Sequence, residues 1–353
     1  MKGINLGCIP AILLLGITAC AGGGNVTSDD NAISFDDFKE VDLSSRAEVI
    51  TDNPDILGIV TNVKVVNDSI IAITLHSSAE QVILYNLKSG EKQAVVRRGE
   101  GPDEMLSVSS LSVLSGDTLW MSGMMDRKVM TACWNPAGSK ALTELRFTGE
   151  EDLLRGVADG KGGVIGLPAR GDSVRLLVLD SNGNRTDSLG VFPAAAMPEG
   201  AMPNNFLFQA DIAYCPENGR LAVSNRSWNE IEIYSLPTRE PVVITIPIDG
   251  KIEIVGQDRG MGVSYNPSPF WLISSGVSAM PDSFAVGYIG VMVKNDEDFM
   301  RHIGSLLEFD WEGKPKRRFM LGEEAVAFDF DSKNGYLYTI ENRPEATLVR
   351  YKL

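Results

Sequence analysis

Histidine and cysteine are scarce in this 353-residue chain, which holds two of the first, His76 and His302, and four of the second, Cys8, Cys20, Cys133 and Cys215. No Cys-x-x-Cys and no His-Glu-x-x-His occurs, so neither a dithiol redox pair nor a zinc hydrolase helix is encoded. Gly-Lys-Ser/Thr and Gly-x-Ser-x-Gly are also missing, which removes Walker phosphate loops and the nucleophile elbow of serine hydrolases. Basic residues are the minority. Against 47 Asp and Glu there are 32 Lys and Arg, a formal charge of −15, and such a surface repels phosphate backbones, so nucleic acid is not expected as a partner. After the first twenty residues no apolar run is long enough to cross a bilayer. The hydrophobic share is nonetheless 44%, ample for a large core, and the 35 Gly and 17 Pro are spread along the chain. That combination reads as many short strands joined by turns.

The N-terminus carries the sharpest local signal. Lys2 precedes an apolar stretch over residues 9–17 that is too short for a resident membrane helix. Next comes Ile17-Thr18-Ala19-Cys20, which resembles the lipobox of bacterial lipoproteins. The resemblance implies a signal peptide over residues 1–19, lipidation of Cys20, and a flexible tether over residues 20–32, since two or three acyl chains on one residue anchor durably where one does not. Membrane attachment is thus expected through lipid, at the cell envelope. Ala21, where some bacteria use Asp to retain lipoproteins at the inner membrane, points to the outer one. Cys133 and Cys215 then remain for the folded part, and we read them as free thiols in apolar strands.

Six times the sequence shows a polar turn, a short apolar strand and, further on, an alternating strand. The first strands begin at Ile70, Leu119, Val164, Leu221, Phe284 and Leu337; the second centre on Tyr85, Trp134, Leu179, Tyr234, Phe309 and Tyr351. Five of the six separations fall between 13 and 15 residues, while the fifth unit has 25. Further turns such as Lys88-Ser89-Gly90-Glu91 and Asp180-Ser181-Asn182-Gly183 extend each unit into a four-stranded meander. The expectation is an all-β, six-bladed β-propeller of four-stranded antiparallel blades over residues 33–353, monomeric, closed by an N-terminal strand within residues 33–43. A degenerate seventh blade within residues 251–279 is the alternative.

Between the first two units lies Gly99-Glu100-Gly101-Pro102-Asp103-Glu104-Met105. Lipobox, six meanders and this link together resemble the TolB-like six-bladed propeller lipoproteins and, more distantly, the NHL-repeat propellers, in which a Gly-x-Gly-Pro-x-Glu-aromatic stretch joins blades. Here Met105 stands in the aromatic's place. The resemblance implies a fold and an envelope address, but no reaction. From the residues themselves we read the stretch as a tight turn, with Glu104 accepting backbone hydrogen bonds.

The longest excursions, residues 190–209, 249–278 and 291–305, all belong to connections on one face of such a ring. Aromatic residues cluster there, and Trp228, Tyr265, Phe270 and Trp271 are candidates for contact with a protein or a glycan. A basic residue recurs just after the second strand of several units, at Arg127, Arg170, Arg226 and Arg343, with His76 in the matching place of the first. A ring of these around the central channel would grip a carboxylate or phosphate. The function expected is therefore that of a lipid-anchored binding module with no cofactor. The alternative is a propeller enzyme, a lactonase, esterase or glycan-active catalyst, using Ca²⁺ held by residues such as Asp126, Asp172, Asn225, Glu341 and Asn342.

Overall fold

The computed structural model describes residues 33–76, 78–114, 116–123, 126–136, 141–146, 151–169, 174–192, 208–236, 238, 240–258, 263–343 and 345–353. The signal peptide, Cys20 and the tether lie outside them.

Successive antiparallel sheets run along the chain. The first blade consists of Ile59–Val65, Ile70–His76, Glu80–Asn86 and Lys92–Arg98, from the axis outwards. The second, third and fourth repeat the pattern, opening on Ser110–Val113, Leu153–Ala158 and Ala210–Cys215. In the fifth, Trp271–Met280 is the inner strand, followed by Ser283–Met292, Ile303–Phe309 and the first part of the long strand Pro315–Asp331. The second part of Pro315–Asp331 crosses into the sixth blade, pairing with Tyr336–Asn342, which pairs with Ala346–Lys352. Among the described residues of 251–279 there is no seventh blade. They supply a two-stranded hairpin, Glu253–Asp258 with Val263–Ser268, and then most of the fifth blade's inner strand.

The sequence repeat is a register. Val164 lies opposite Leu179, Leu221 opposite Tyr234, Phe284 opposite Phe309, and Leu337 opposite Tyr351. Blades one and two depart slightly, for Tyr85 faces Ile71 and Leu119 faces Ala132. Second strands are nearly continuous apolar runs, as in Ile70–His76, where only His76 is exposed. Alternation fails there because both faces of the strand are covered by neighbouring blades.

Six hydrophobic clusters fill the six gaps of the ring. One joins Ile71, Ile83 and Tyr85 of the first blade to Tyr338, Ile340 and Leu348 of the sixth, so the ring closes on itself. The others sit between blades one and two, two and three, three and four, four and five, and five and six. Burial of this kind contributes about 25 cal/mol per Å² of apolar surface removed from water.

Closure by the N-terminal chain holds, but the strand that closes lies after residues 33–43. Ala47–Thr51 pairs antiparallel with Ala346–Lys352 and becomes the outer strand of the sixth blade. Within residues 33–43, Lys39–Asp42 instead runs parallel along the outer edge of the fifth blade, opposite residues 317–320. Two apolar anchors fix it there, for Phe38 enters the core between blades four and five and Leu43 that between five and six. The last blade's edge is free for the next stretch of chain. Covering both outer edges removes unpaired backbone groups that would otherwise invite another strand.

The Gly-rich link is a turn built around one carboxylate. Gly99 has φ near +154°, and a Cβ on it would stand 2.0 Å from Oε2 of Glu104. Gly101 donates its amide to the same oxygen at 3.0 Å. Met105 is fully buried, and its carbonyl accepts from Gly99 N at 3.1 Å and from Gln81 Nε2 at 2.5 Å.

Candidate functional site

A channel of about 980 Å³ runs along the axis, lined by the inner strands. Those strands present one unpaired backbone edge to it, and side chains of neighbouring blades satisfy part of that edge. Asp329 accepts from Val65 N at 2.8 Å, Ser110 from Gly156 N at 3.3 Å, and Asp211 from Gly276 N at 2.9 Å. Ser278 donates to Asp329 at 2.6 Å. Each of these contacts bridges two blades, so the polar residues of the inner strands are ties in the ring.

Two buried acids of the channel, Asp329 and Asp211, have basic partners. Lys64 binds Asp329 at 3.0 Å. Asp211 is shared by two arginines: Nε and Nη2 of Arg226 approach its two oxygens at 3.0 and 2.9 Å, and Nη1 of Arg155 lies 2.9 Å away. The guanidinium of Arg226, then that of Arg155, holds the Asp211 carboxyl far below the usual range against the opposing effect of burial. Arg155 itself is lowered, chiefly by desolvation, with Arg226 adding repulsion. Two positive groups thus face one negative one near the end of the channel where the inner strands begin.

Because strands alternate in direction, that end also carries the links between blades and the loops after second strands. It is the face of the long excursions. The opposite mouth is formed by hairpin tips holding Asp68, Asp117, Glu217 and Asp331 with Lys333. There Asn67 donates to Asp117 at 2.7 Å, and Lys333 and Asn334 reach Asp68 at 3.2 and 3.1 Å, tying the last blade to the first.

The expected basic ring is only partly a ring. Arg226 and His76 line the channel, but Arg127 and Arg343 do not. Arg127 pairs with Asp152 of the third blade at 2.6 Å, and Arg343 with the fully buried Glu341 at 2.6 Å. Arg170 lies outside the described residues. Sequence reasoning missed Arg155 and Asp211. The available signal was an acid inside an apolar inner strand, Ala210-Asp211-Ile212-Ala213, which folding buries only with a cationic partner.

Among the aromatics, Trp271 is 2% exposed and lies in the core between blades four and five. It does not stand on the rim, because the inner strand of the fifth blade begins with it rather than after it. Trp228 is half-buried and meets Phe208 edge-on, with centroids 5.8 Å apart; Phe208 in turn touches Phe192 at 5.5 Å, and Ile254 of the hairpin joins them. These rings pin the inserts. Phe270 is 39% exposed, and the loop around the short helix Asp296–Phe299 adds Phe299 at 59% and Met300 at 65%. The side chain of Tyr265 lies outside the described residues.

Among the described residues no group of three or more His, Cys, Asp or Glu side chains is placed to hold a metal ion. The calcium candidates are dispersed. Asp126 accepts from Leu106 N and Ser107 N, Asn225 accepts from the buried Arg175, and Glu341 accepts from Thr339. Asp172 lies outside the described residues. Cys133 and Cys215 are free thiols, and burial with the Glu217 carboxylate pushes Cys215 up to about 11. No described helix is long and apolar enough to cross a membrane.

No curated protein sequence matches the chain. Solved structures similar to it are propellers at low identity. A protein described as exported, from Bacteroides fragilis, superposes with a TM-score of 0.54 at 12% identity, covering 89% of this chain and 98% of that one. The WD40 repeats of RRP9 give 0.50 at 13%, covering 88% and 98%, and U3-55K gives 0.50 at 13%, covering 88% and 99%. At such identities the likeness concerns fold alone. The sequence itself matches the model of the TolB-like 6-blade propeller-like family over residues 46–333, and with its six closed blades the chain belongs to that family.

Proposed function

We propose that the protein is a binding module of the cell envelope, held by lipid on Cys20, that takes an extracytoplasmic protein or glycan on the face bearing the inserts. One observation carries this reading: the channel mouth on that face is flanked by inserts that leave Phe270, Phe299 and Met300 open to solvent while other large rings nearby are buried. Exposed aromatic and Met side chains offer contact area with little conformational entropy to lose or with ready adaptability. The family's envelope resemblance and the exported Bacteroides protein of similar fold support the address. The acidic chain fits a partner other than nucleic acid.

Two measurements test the two halves. Labelled palmitate is expected to enter the chain in a lipoprotein-processing bacterium and to be lost with Cys20→Ser. Capture of envelope components by the full chain is expected to fall with Phe299→Ser and Met300→Ser together. Capture unchanged by that pair removes the face from consideration.

A further inference from the structure

We propose that Arg155 and Arg226 form an oxyanion subsite at the channel mouth, and that it takes the carboxylate of an acidic sugar. The subsite rests on the reading above, that this face is the ligand face.

The charge count is the first argument. Asp211 is the described acid whose charge acts on either guanidinium, so the cluster keeps one uncompensated positive charge inside an otherwise acidic protein. The second is donor geometry. Arg226 uses Nε and Nη2 on Asp211, while Arg155 uses Nη1 on Asp211 and on the Ser109 carbonyl at 3.2 Å. Among the described residues, Nη1 of Arg226 and both Nε and Nη2 of Arg155 have no hydrogen-bond partner. The third is access. Both side chains line the channel and remain 33% and 28% exposed.

A single surplus charge favours a monoanion, since a phosphate dianion would leave a net negative charge beside Asp211. Guanidinium forks suit planar carboxylates. Near the pair the lining mixes polar Ser109, Gln209 and Ser275 with apolar Leu154, Leu167 and Ala210, a pattern that suits the hydroxyl groups and the C–H face of a sugar. A uronate combines that carboxylate with those hydroxyl groups.

The test is calorimetric titration of the full chain with trigalacturonate, its methyl ester and a pentapeptide with a free C-terminus. Trigalacturonate is expected to bind and the ester to bind at least about tenfold more weakly. Arg226→Met is expected to weaken trigalacturonate by a similar factor; it leaves Asp211 partnered by Arg155 and the Gly276 amide, so no buried carboxylate is orphaned. Asp211→Asn, which still accepts from Gly276, is expected to tighten binding by freeing donors, with an unchanged circular dichroism spectrum as the check on folding. Ester and acid binding equally, an unaltered affinity in Arg226→Met, or the peptide outcompeting the sugar each overturns the assignment. If ester and acid bind equally and the Phe299→Ser, Met300→Ser pair abolishes both, the subsite falls while the face stands.

Discussion

At the scale of single residues, some buried ionic groups join one blade to the next while others, such as Glu341 with Arg343, pair within a blade. Arg175 is fully buried. It donates to Glu232 of the next blade at 2.9 Å, to Asn225 at 2.6 Å and to the Phe208 carbonyl at 2.9 Å, while Tyr234 donates to the other Glu232 oxygen at 2.5 Å. Glu230, two residues before, is less fortunate. Burial raises its carboxyl above the ordinary range, assisted by Glu232 and opposed by Trp228 and Arg175. A carboxyl raised on folding stabilises the fold below its unfolded value of about 4.3 and loses that contribution as pH rises through the folded value. Glu230→Gln is therefore expected to be more stable than the parent at pH 7, with the difference vanishing near pH 4. Urea midpoints at the two pH values measure it, and an equal shift at both rejects the burial argument. None of this was legible in sequence. The basic residues after the second strands are visible there, as is Glu341 two residues before Arg343, but Asp152 for Arg127 comes from another blade and Asp211 for Arg226 from another strand.

At the scale of elements, turns and alternation are local and could be read directly. The strand anchors from Val164 to Leu337 identified paired positions because a short meander with fixed turn lengths must return to the same register. Edge coverage is not local, so residues 33–43 looked as able to close the ring as residues 47–51. Burial of Leu43, fully enclosed between the last two blades, decides the matter. Replacing it with Ala is expected to cost about 2–5 kcal/mol. A loss under 1 kcal/mol in chemical denaturation, on the order of a surface change, would show that the strap contributes little. Trp271 taught the same lesson, since an aromatic at the end of a long insert is indistinguishable in sequence from one that opens the next inner strand.

For the whole molecule, six inter-blade cores form a closed cycle, and the cycle is joined where Ala47–Thr51 meets Ala346–Lys352. Glu48 of the closing strand accepts hydrogen bonds from Arg350 at 2.7, 2.8 and 3.1 Å across 302 residues of sequence. Removing residues 346–353 leaves Ala47–Thr51 with no partner and strips Leu348, Val349 and Tyr351 from two of the six cores. Such a truncation is expected to abolish the cooperative thermal transition. A sharp calorimetric peak near the parent's temperature would mean that five blades hold without the sixth.

The same seam bears on how the protein comes into being. Translation delivers Ala47–Thr51 long before its partner Ala346–Lys352, so this strand has nowhere to dock until the sixth blade has been made. Until then every growing intermediate is an open arc with two raw apolar flanks. A chain interrupted before Ala346–Lys352 is made would be unable to shut, and quality control would meet it as an unfolded protein.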